Sequence, residues 1–329
     1  MKDPLKKMRS SNNLLSTAEG AGHVSVLLEQ AVQLLNVRAG LTYVDATAGA
    51  GGHLQKICSL EGTSTRILAL DRDLSAIEKL RSQPRFSAVH FIHANFADLH
   101  TVLASVGATT IDGGILADLG LSSNQLEEAG RGFSFSRPGP LDMRMDVNNS
   151  SGPTAYQLVN NLNVNDLADI IYKYGEERKS RLIARRIIHN RPIDTTIALA
   201  NIIASCHKTG SKKSLIHPAT RTFQALRIAV NNELDNLQQF LKQSVDALAP
   251  GARLVIITFH SLEDRIVKQF FKQMSGSCLC PPRQPVCTCN NKPQLRILTR
   301  KPIIPSEQEV LANLRSRSAK LRAAEKLAQ

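Results

Sequence analysis

The sequence predicts an α/β fold in which helices cover a parallel sheet, with a small helical domain inserted into it. Short apolar runs of strand length alternate with helical patterns from Thr42 onward. A glycine-rich segment follows the first run, and acidic residues end the second and the fourth. Because parallel strands need crossover connections and ligands bind at their carboxyl ends, these observations predict a binding site at one edge of the sheet.

The glycine segment is the first candidate site. Glycines at 49, 51 and 52 allow positive φ and let a ligand approach the backbone, while the N–H groups of the next helix face that ligand. The second run ends in Asp71, about 20 positions beyond, where a carboxylate suits ribose hydroxyls. These glycines are compact and preceded by Asp45, unlike the spaced G-x-G-x-x-G of dinucleotide enzymes. We therefore expect S-adenosylmethionine, with Asp45 at its ammonium group and Asp71 at its ribose; an ordinary strand-to-helix turn is the alternative.

Two further strand ends carry candidate residues. The run at 88–94 ends beside Phe96, which suits either the wall of an adenine pocket or the core, with equal weight. The run at 111–120 brings Asp118 to a carboxyl end, where a charge is costly without a partner. Asp118 is therefore interpreted as a site residue.

Between the fourth and fifth strands the pattern changes. Residues 125–146 mix aromatic, arginine and acidic residues in a long loop, which is typical of a lid or substrate channel. Residues from about 154 to 207 have helical periodicity. Arg178, Arg181 and Arg185 share one helix face, which suits either phosphate contacts or plain solvation.

The chain then returns to the sheet. A long helix is expected over 217–241 and a fifth strand over 251–259. The strand ends at His260, which is expected to cap the next helix with Ser261; action on the substrate is the alternative. The segment 292–326 is rich in Lys and Arg and is expected to add to a nucleic-acid surface. Its basic residues are Arg296, Arg300, Lys301, Arg315, Arg317, Lys320, Arg322 and Lys326.

These patterns give a domain prediction. A methyltransferase domain spans 23–130 and 213–329, interrupted at 131–212 by the lid loop and a helical substrate-recognition insertion. Residues 1–22 are expected to be a flexible basic tail; they lack the apolar segment of a secretory signal, and organelle targeting is the alternative.

The composition indicates which kind of partner the protein binds and whether it is soluble. The net charge of +13 over 329 residues indicates a polyanion, with nucleic acid favoured over an anionic membrane surface. No apolar stretch approaches the roughly 18 residues of a membrane span, so we expect a soluble protein.

The cysteines indicate a reducing compartment. Cys58 and Cys206 are expected in the core. The remaining four, at short spacings near prolines, form either a zinc site or a reduced, proline-stiffened loop. These four are Cys278, Cys280, Cys287 and Cys289. No other metal site is predicted.

Eight motifs in this order closely resemble the RsmH (MraW) family. They are Asp-Ala-Thr-Ala-Gly-Ala-Gly-Gly-His, Ala-Asp-Leu-Gly-Leu-Ser-Ser, Arg-Gly-Phe-Ser-Phe, Gly-Pro-Leu-Asp-Met-Arg-Met-Asp, Tyr-Gly-Glu-Glu-Arg, Ala-Thr-Arg-Thr-Phe-Gln-Ala-Leu-Arg-Ile, Phe-His-Ser-Leu-Glu-Asp-Arg and Arg-Ser-Ala-Lys-Leu-Arg. The likeness runs from residue 23 to residue 326.

The resemblance implies a Rossmann-like, cytoplasmic bacterial enzyme that uses S-adenosylmethionine to methylate N4 of cytosine 1402 in 16S rRNA of the small ribosomal subunit. Its cofactor residues, carried over by motif, are Gly51, Gly52, His53, Asp71, Phe96, Asp118 and Gln125. Of these, His53 and Gln125 rest on the resemblance alone. As catalytic residues we expect Asp118 to accept hydrogens from the target amine, with Asp142 as the second candidate.

Three other functions fit the sequence less well. A DNA amino-methyltransferase would show Asp/Asn-Pro-Pro-Tyr/Phe after the fourth strand, where this chain has Asp-Leu-Gly-Leu. An oxidoreductase would need the spaced glycines. A non-catalytic RNA-binding protein would explain the charge but not the pocket.

Overall fold

One seven-stranded sheet organises the described part of the chain. The computed structural model describes residues 25–60, 65–147, 152–207, 217–276 and 292–328. Its strands are β1 (Thr42–Asp45), β2 (Arg66–Asp71), β3 (Val89–His93), β4 (Gly114–Asp118), β5 (Arg253–Thr258), β6 (Leu295–Ile297) and β7 (Lys320–Lys326). They lie in the order β3-β2-β1-β4-β5-β7-β6.

The first five strands are parallel, and the strand order reverses between β1 and β4. In open parallel sheets, ligands bind at such a switch point because the crossover helices diverge there. β7 runs antiparallel to β5, and β6 antiparallel to β7. The predicted α/β, Rossmann-like fold class is confirmed; the two antiparallel strands were not predicted.

Helices surround this sheet and form a separate group between β4 and β5. They are α1 (Leu28–Leu35), α2 (Gly52–Leu60), α3 (Leu74–Arg81), α4 (Leu99–Ser105), α5 (Ser123–Glu127), α6 (Ala155–Asn161), α7 (Val164–Gly175), α8 (Ser180–His189), α9 (Thr196–Ser205), α10 (Thr220–Asn231), α11 (Glu233–Ala247), α12 (Ser261–Met274) and α13 (Glu307–Ala312). Side-chain caps fix several starts: the Asp73 carboxylate accepts from the Ser75 N–H, and Thr154 forms a capping box with Gln157.

Alternate residues of the parallel strands face opposite layers. Val44 and Ile115 pack with α4, α11 and α12, whereas Tyr43 and Leu116 pack with α1 to α3. A third apolar core joins helices α6 to α10 with four buried residues of the preceding loop, Phe133, Leu141, Met143 and Met145. This core includes Phe223, beyond the predicted end of the insertion at 212, and the domain boundaries stay a prediction.

The prediction of a single long helix over 217–241 is wrong. Two helices, α10 and α11, meet at Asn232, whose φ of 50° is left-handed. Asparagine tolerates this conformation better than most residues, so the chain turns here without glycine. The turn brings Glu233 against Arg227, whose guanidinium donates to both carboxylate oxygens at 2.8 and 2.7 Å.

The basic C-terminal segment is only partly a surface. Arg322 is buried in β7 and donates to Asp264 of α12 at 2.6 Å, and Lys320 reaches the same carboxylate at 3.1 Å. Lys326 donates to the Val245 carbonyl at 2.8 Å. Long basic side chains enter an interior when their charged ends are paired, so these residues hold β7 in the sheet rather than offering free charge.

Other expectations fall outside the structure. Residues 1–22 and the cysteines at 278, 280, 287 and 289 lie beyond the described ranges. Cys206 is buried in the helical core, and Cys58 packs partly against the core beside α1 and α2. In the described ranges, every helix is too short or too polar to cross a membrane.

Candidate active site

A cavity lies at the carboxyl ends of β1, β2 and β4, where the strand order reverses. Seven of the predicted site residues line it: Gly49, Gly52, His53, Asp71, Phe96, Asp118 and Gln125. The prediction missed other polar residues of the wall: Ser25, Thr47, Arg72, Asp73, Glu233, Asn236, Glu263, Asn313 and Arg315. Gly51 and Asp142 are not part of the wall.

Each glycine of the loop is required for a different structural reason. Gly49 lines the cavity with a φ of 52°, and its N–H donates to Asp71 Oδ2 at 2.8 Å. Gly51 has a φ of 83°, and a Cβ there would lie 2.5 Å from Leu80, so it serves the packing of α2 on α3. A Cβ on Gly52 would lie 1.9 Å from Ser25 Oγ, so Gly52 lets the chain before α1 approach the helix start.

Asp71 is oriented by backbone donors. Its Oδ2 accepts from Gly49 and its Oδ1 accepts from Asp73 N–H at 2.8 Å. Burial raises the pKa of Asp71, and the two N–H bonds oppose that shift. Each carboxylate oxygen has a second lone pair, so Asp71 can hold the loop and still accept from two hydroxyls.

Asp118 and His53 form a pair in the wall. Asp118 Oδ2 lies 3.6 Å from His53 Nδ1, while its Oδ1 is buried without a hydrogen-bond partner. Burial raises the pKa of Asp118 well above its usual range, and the charges of Asp45 and Glu263 add to the effect. His53 Nε2 lies 3.1 Å from the Val26 carbonyl. Because a carbonyl only accepts, Nε2 carries a hydrogen, and Nδ1 is the nitrogen that can exchange a proton with Asp118.

Asp45 does not line the cavity, contrary to our expectation that it meets the ammonium group directly. It is buried behind the wall, Oδ1 accepts from Thr47 N–H at 3.2 Å, and Oδ2 has no hydrogen-bond partner. Burial raises the pKa of Asp45 to about 7; the Thr47 bond lowers it and the charge of Asp71 raises it. Any influence of Asp45 on a ligand is therefore through its charge.

A buried charge network closes the β5 side. Glu263 Oε2 accepts from Phe259 N–H at 2.8 Å and His260 N–H at 3.3 Å, which confirms His260 as the helix cap. His260 Nδ1 accepts from Glu263 N–H at 3.4 Å, so Nε2 carries the hydrogen, 3.2 Å from Glu263 Oε1. Glu233 approaches these two residues closely enough for a shared cation. Arg227 pairs with Glu233 and His260 lies beside Glu263, so we interpret the group as an ion-pair network.

The ribose side is joined to the lid loop. Asp73 Oδ2 accepts from Gln125 at 3.0 Å and from Arg131 at 2.9 Å. Arg131 also donates to the Met145 carbonyl at 2.7 Å. The ring centroids of Phe96 and Phe240 lie 5.0 Å apart in an edge-to-face contact. Phe96 therefore packs against the core and also lines the cavity.

Asp142 lies apart from the cavity wall. Arg144 donates to both of its oxygens, at 2.9 and 2.8 Å, and hydrogen bonds to Arg144 hold the pKa of Asp142 low despite partial burial. The backbone of Asp142 anchors the N-terminus of α6, since the Asp142 carbonyl accepts from Ala155 N–H. The structure therefore gives Asp142 a role in shaping the loop.

The donor set of the wall fits S-adenosylmethionine. Asp71 offers acceptors for a ribose, Phe96 an apolar face for an adenine, and the start of α2 offers N–H groups. Asp118 leaves a buried oxygen without a partner next to two other buried carboxylates. A ligand with positive charge relieves that repulsion, and a sulfonium group carries such a charge.

Comparisons with known proteins identify the family of this chain. The family model described as the MraW methylase family matches residues 20–327. The chain is 48% identical over 311 residues to the ribosomal RNA small subunit methyltransferase H of Thermomicrobium roseum, covering 93% of this chain and 94% of that relative. It is 45% identical over 310 residues to the protein of the same name from Brevibacillus brevis, covering 93% and 98%. A solved rRNA methylase from Streptococcus thermophilus aligns with 93% of this chain and 98% of its own, with 11% identity and a TM-score of 0.39.

The buried carboxyls predict pH-dependent binding. The folded-state pKa of Asp45, about 7, lies above the ordinary 3.8, so the folded protein holds this proton below pH 7 and loses stability as pH rises from 3.8 through 7. A cation favours the ionised form. S-adenosylmethionine affinity should therefore rise from about pH 5.5 to 7.5. The rise should be roughly tenfold for each unit by which the bound cation lowers the pKa of Asp45. The α-amino group of the ligand titrates only above this range.

Isothermal titration across this pH range measures the effect. Asp45→Asn should flatten the profile, because the amide carries no titrating proton. A parent profile that is flat or falls with pH would contradict the coupling.

Proposed function

Because the chain belongs to the MraW methylase family, we propose that it methylates N4 of a cytosine in 16S rRNA of the small ribosomal subunit, cytosine 1402, in the cytoplasm. The relatives' name supports the RNA substrate, and the resemblance of the motifs supports the base and the atom. S-adenosylmethionine, when bound, supplies a methyl group activated by the positive sulfonium. The observation that carries the proposal is the partnerless Oδ1 of Asp118 in the cavity wall.

The exocyclic amine of cytosine is a weak nucleophile, because its lone pair is delocalised into the ring. Acceptors that draw its two hydrogens out of the base plane make the nitrogen more tetrahedral. Asp118 Oδ1 is proposed as one acceptor, and a backbone carbonyl of the segment after β4 as the other. The target base has to leave its stack to reach this cavity.

The amine gains a methyl group and loses one proton. Asp118, ionised when the cationic cofactor is bound, is proposed to take that proton; burial and the charges of Asp45 and Glu263 raise its pKa and therefore its basicity. His53 Nδ1, 3.6 Å from Asp118 Oδ2, can pass the proton on. Asp142, whose carboxylate is held by Arg144, is not proposed for this role.

The RNA is proposed to cross the helical insertion toward the cavity. Glu176, at the end of α7, accepts from Ser261 and from Arg265 at the start of α12, the helix that carries Glu263. Exposed basic and aromatic side chains lie before and after Glu176 in the chain, on α7, on α8 and between them. They are Tyr172, Arg178, Arg181 and Arg185. Basic groups bind phosphates and an exposed ring can stack on a base, so this surface is suited to a single-stranded segment.

Mapping the modification tests the function. Deleting the gene should remove N4 methylation of cytosine 1402, as read by mass spectrometry of nuclease fragments of 16S rRNA, and the purified protein should restore it on subunits from the deletion strain. Unchanged methylation in the deletion strain, or methylation of another base by the protein, would overturn the proposal.

Asp118→Asn tests the acceptor role. Asparagine keeps the shape but loses the charge and the basic site, so we expect the single-turnover rate at saturating S-adenosylmethionine to fall by about 10²-fold or more. Asp142→Asn, outside the cavity, serves as the control and should keep most of that rate. If Asp118→Asn weakens only cofactor affinity and keeps the saturated rate, Asp118 positions the cofactor and takes no part in transfer.

Charge reversal on the insertion tests the RNA surface. Arg178→Glu with Arg181→Glu should weaken 16S rRNA binding. The slope of log affinity against log salt concentration should become shallower by about two, since about one is lost for each phosphate contact removed. Lys79→Glu with Lys242→Glu changes the net charge equally outside the insertion and controls for long-range charge. Equal losses in the two double variants would show that no local contact is made there.

A further inference from the structure

The C-terminal turn at 314–318 contributes to the cofactor cavity, although no glycine loop or strand end points to it. Asn313 and Arg315 are part of the wall. The turn is fixed: the buried Ser316 donates through Oγ to the Asn313 carbonyl at 2.8 Å, and the Asn313 side chain accepts from Arg315 N–H at 3.1 Å. The preceding helix α13 is tied to the chain before α1 by Glu309, which accepts from Leu27 N–H at 2.7 Å. Arg315 therefore approaches the cavity from a defined direction.

The order of the strands indicates which end of the cofactor faces the turn. Phe96 follows β3, Asp71 ends β2 and Asp118 ends β4, and these strands lie in the order β3-β2-β1-β4. A cofactor with its ribose at Asp71 and its adenine toward Phe96 has its amino-acid end on the β4 side. The turn leads into β7, which pairs with β5 beyond β4. The turn thus lies at the methionine end, where the ligand carries a carboxylate.

That carboxylate meets an unfavourable field unless a cation faces it. Asp45, Asp118 and Glu263 are all acidic groups of this side. Among the basic residues of the wall, Arg72 follows β2 and donates to the Asn231 carbonyl at 3.2 Å, on the ribose side. His53 faces Asp118 and the Val26 carbonyl. Arg315 is the basic residue of the described wall that comes from the β5 side.

The Arg315 guanidinium is already held by a carboxylate. Its Nη2 lies 3.4 Å from Glu127 Oε1, and the two side chains are 46% and 66% exposed. Exposed, long ion pairs of this kind contribute little stability, so one carboxylate can exchange for another at small cost. Glu127 ends α5, the helix after β4, so the pair connects α5 to the turn.

We propose that Arg315 binds the carboxylate of the cofactor's methionine moiety, with the turn 314–318 covering that end of the ligand. The inference rests on S-adenosylmethionine being the occupant of the cavity. The planar guanidinium can take a carboxylate through two parallel N–H bonds, which would also fix the orientation of the amino-acid end. A phosphate of the RNA offers similar acceptors, and the test below separates it from the cofactor.

Two ligands that differ in one group provide the test. S-adenosylmethionine and decarboxylated S-adenosylmethionine both carry the sulfonium and an ammonium group, but only the first has the carboxylate. Titration calorimetry without RNA should show Arg315→Met weakening S-adenosylmethionine by about tenfold or more and the decarboxylated ligand by less than about twofold. Arg315→Lys should restore part of the loss. Arg317→Met, in the same exposed turn but outside the wall, should change neither affinity.

The other outcomes are distinct. Equal weakening of the two ligands, or no change in either, overturns the proposal, and an unchanged melting temperature of Arg315→Met shows that the turn still folds. If cofactor affinity is unchanged while 16S rRNA affinity and its salt slope fall, Arg315 is a phosphate contact and the proposal is wrong. A parent protein that binds neither ligand would instead refute the cofactor assignment itself.

Discussion

The burial of several carboxyl groups at one sheet edge is the constraint on which the site depends. Parallel strands bring Asp45, Asp71 and Asp118 together because their carboxyl ends meet, and Glu263 joins them from α12. Burial raises the pKa of all three aspartates, and neighbouring carboxylates add to the shift, whereas two backbone N–H bonds oppose it at Asp71. The fold can keep this costly arrangement because a cationic ligand removes most of its repulsion when it binds, which makes affinity for the ligand a consequence of strand direction.

The sequence predicted much of this edge because the relevant information is local. Each strand is a short apolar run, and the residue that ends it reaches the same edge whatever the rest of the chain does. Asp71, Phe96 and Asp118 could therefore be assigned from position alone, and the fold class from the alternation of strands and helices. His53 and Gln125 needed the family motifs, since a buried histidine or glutamine after a loop has no distinguishing local signal.

The rest could not be predicted because it depends on partners far apart in the sequence. Arg322 looks like a surface charge until its partner Asp264 is known, and Asn232 looks like a helix residue until its left-handed φ is seen. Gly51 looks like a ligand contact, yet its missing Cβ makes room for Leu80. Arg315 lies in a run of basic residues with no local signal for the cavity, because β7 returns the chain to the sheet from outside the parallel core.

A single chain of contacts links the cofactor cavity to the proposed RNA surface. Asp73 caps α3 in the cavity wall and also binds Arg131, which holds the Met145 carbonyl of the lid loop. Asn231, buried at the end of α10, accepts from Met145 N–H and donates to the Met143 carbonyl, so the same loop is fixed to the helical core. Because the two Asn231 bonds are buried and the Asp73 and Arg131 bonds are partly buried, movement of the loop costs several of them together. The loop is therefore fixed by hydrogen bonds both to the cavity wall and to the helical core.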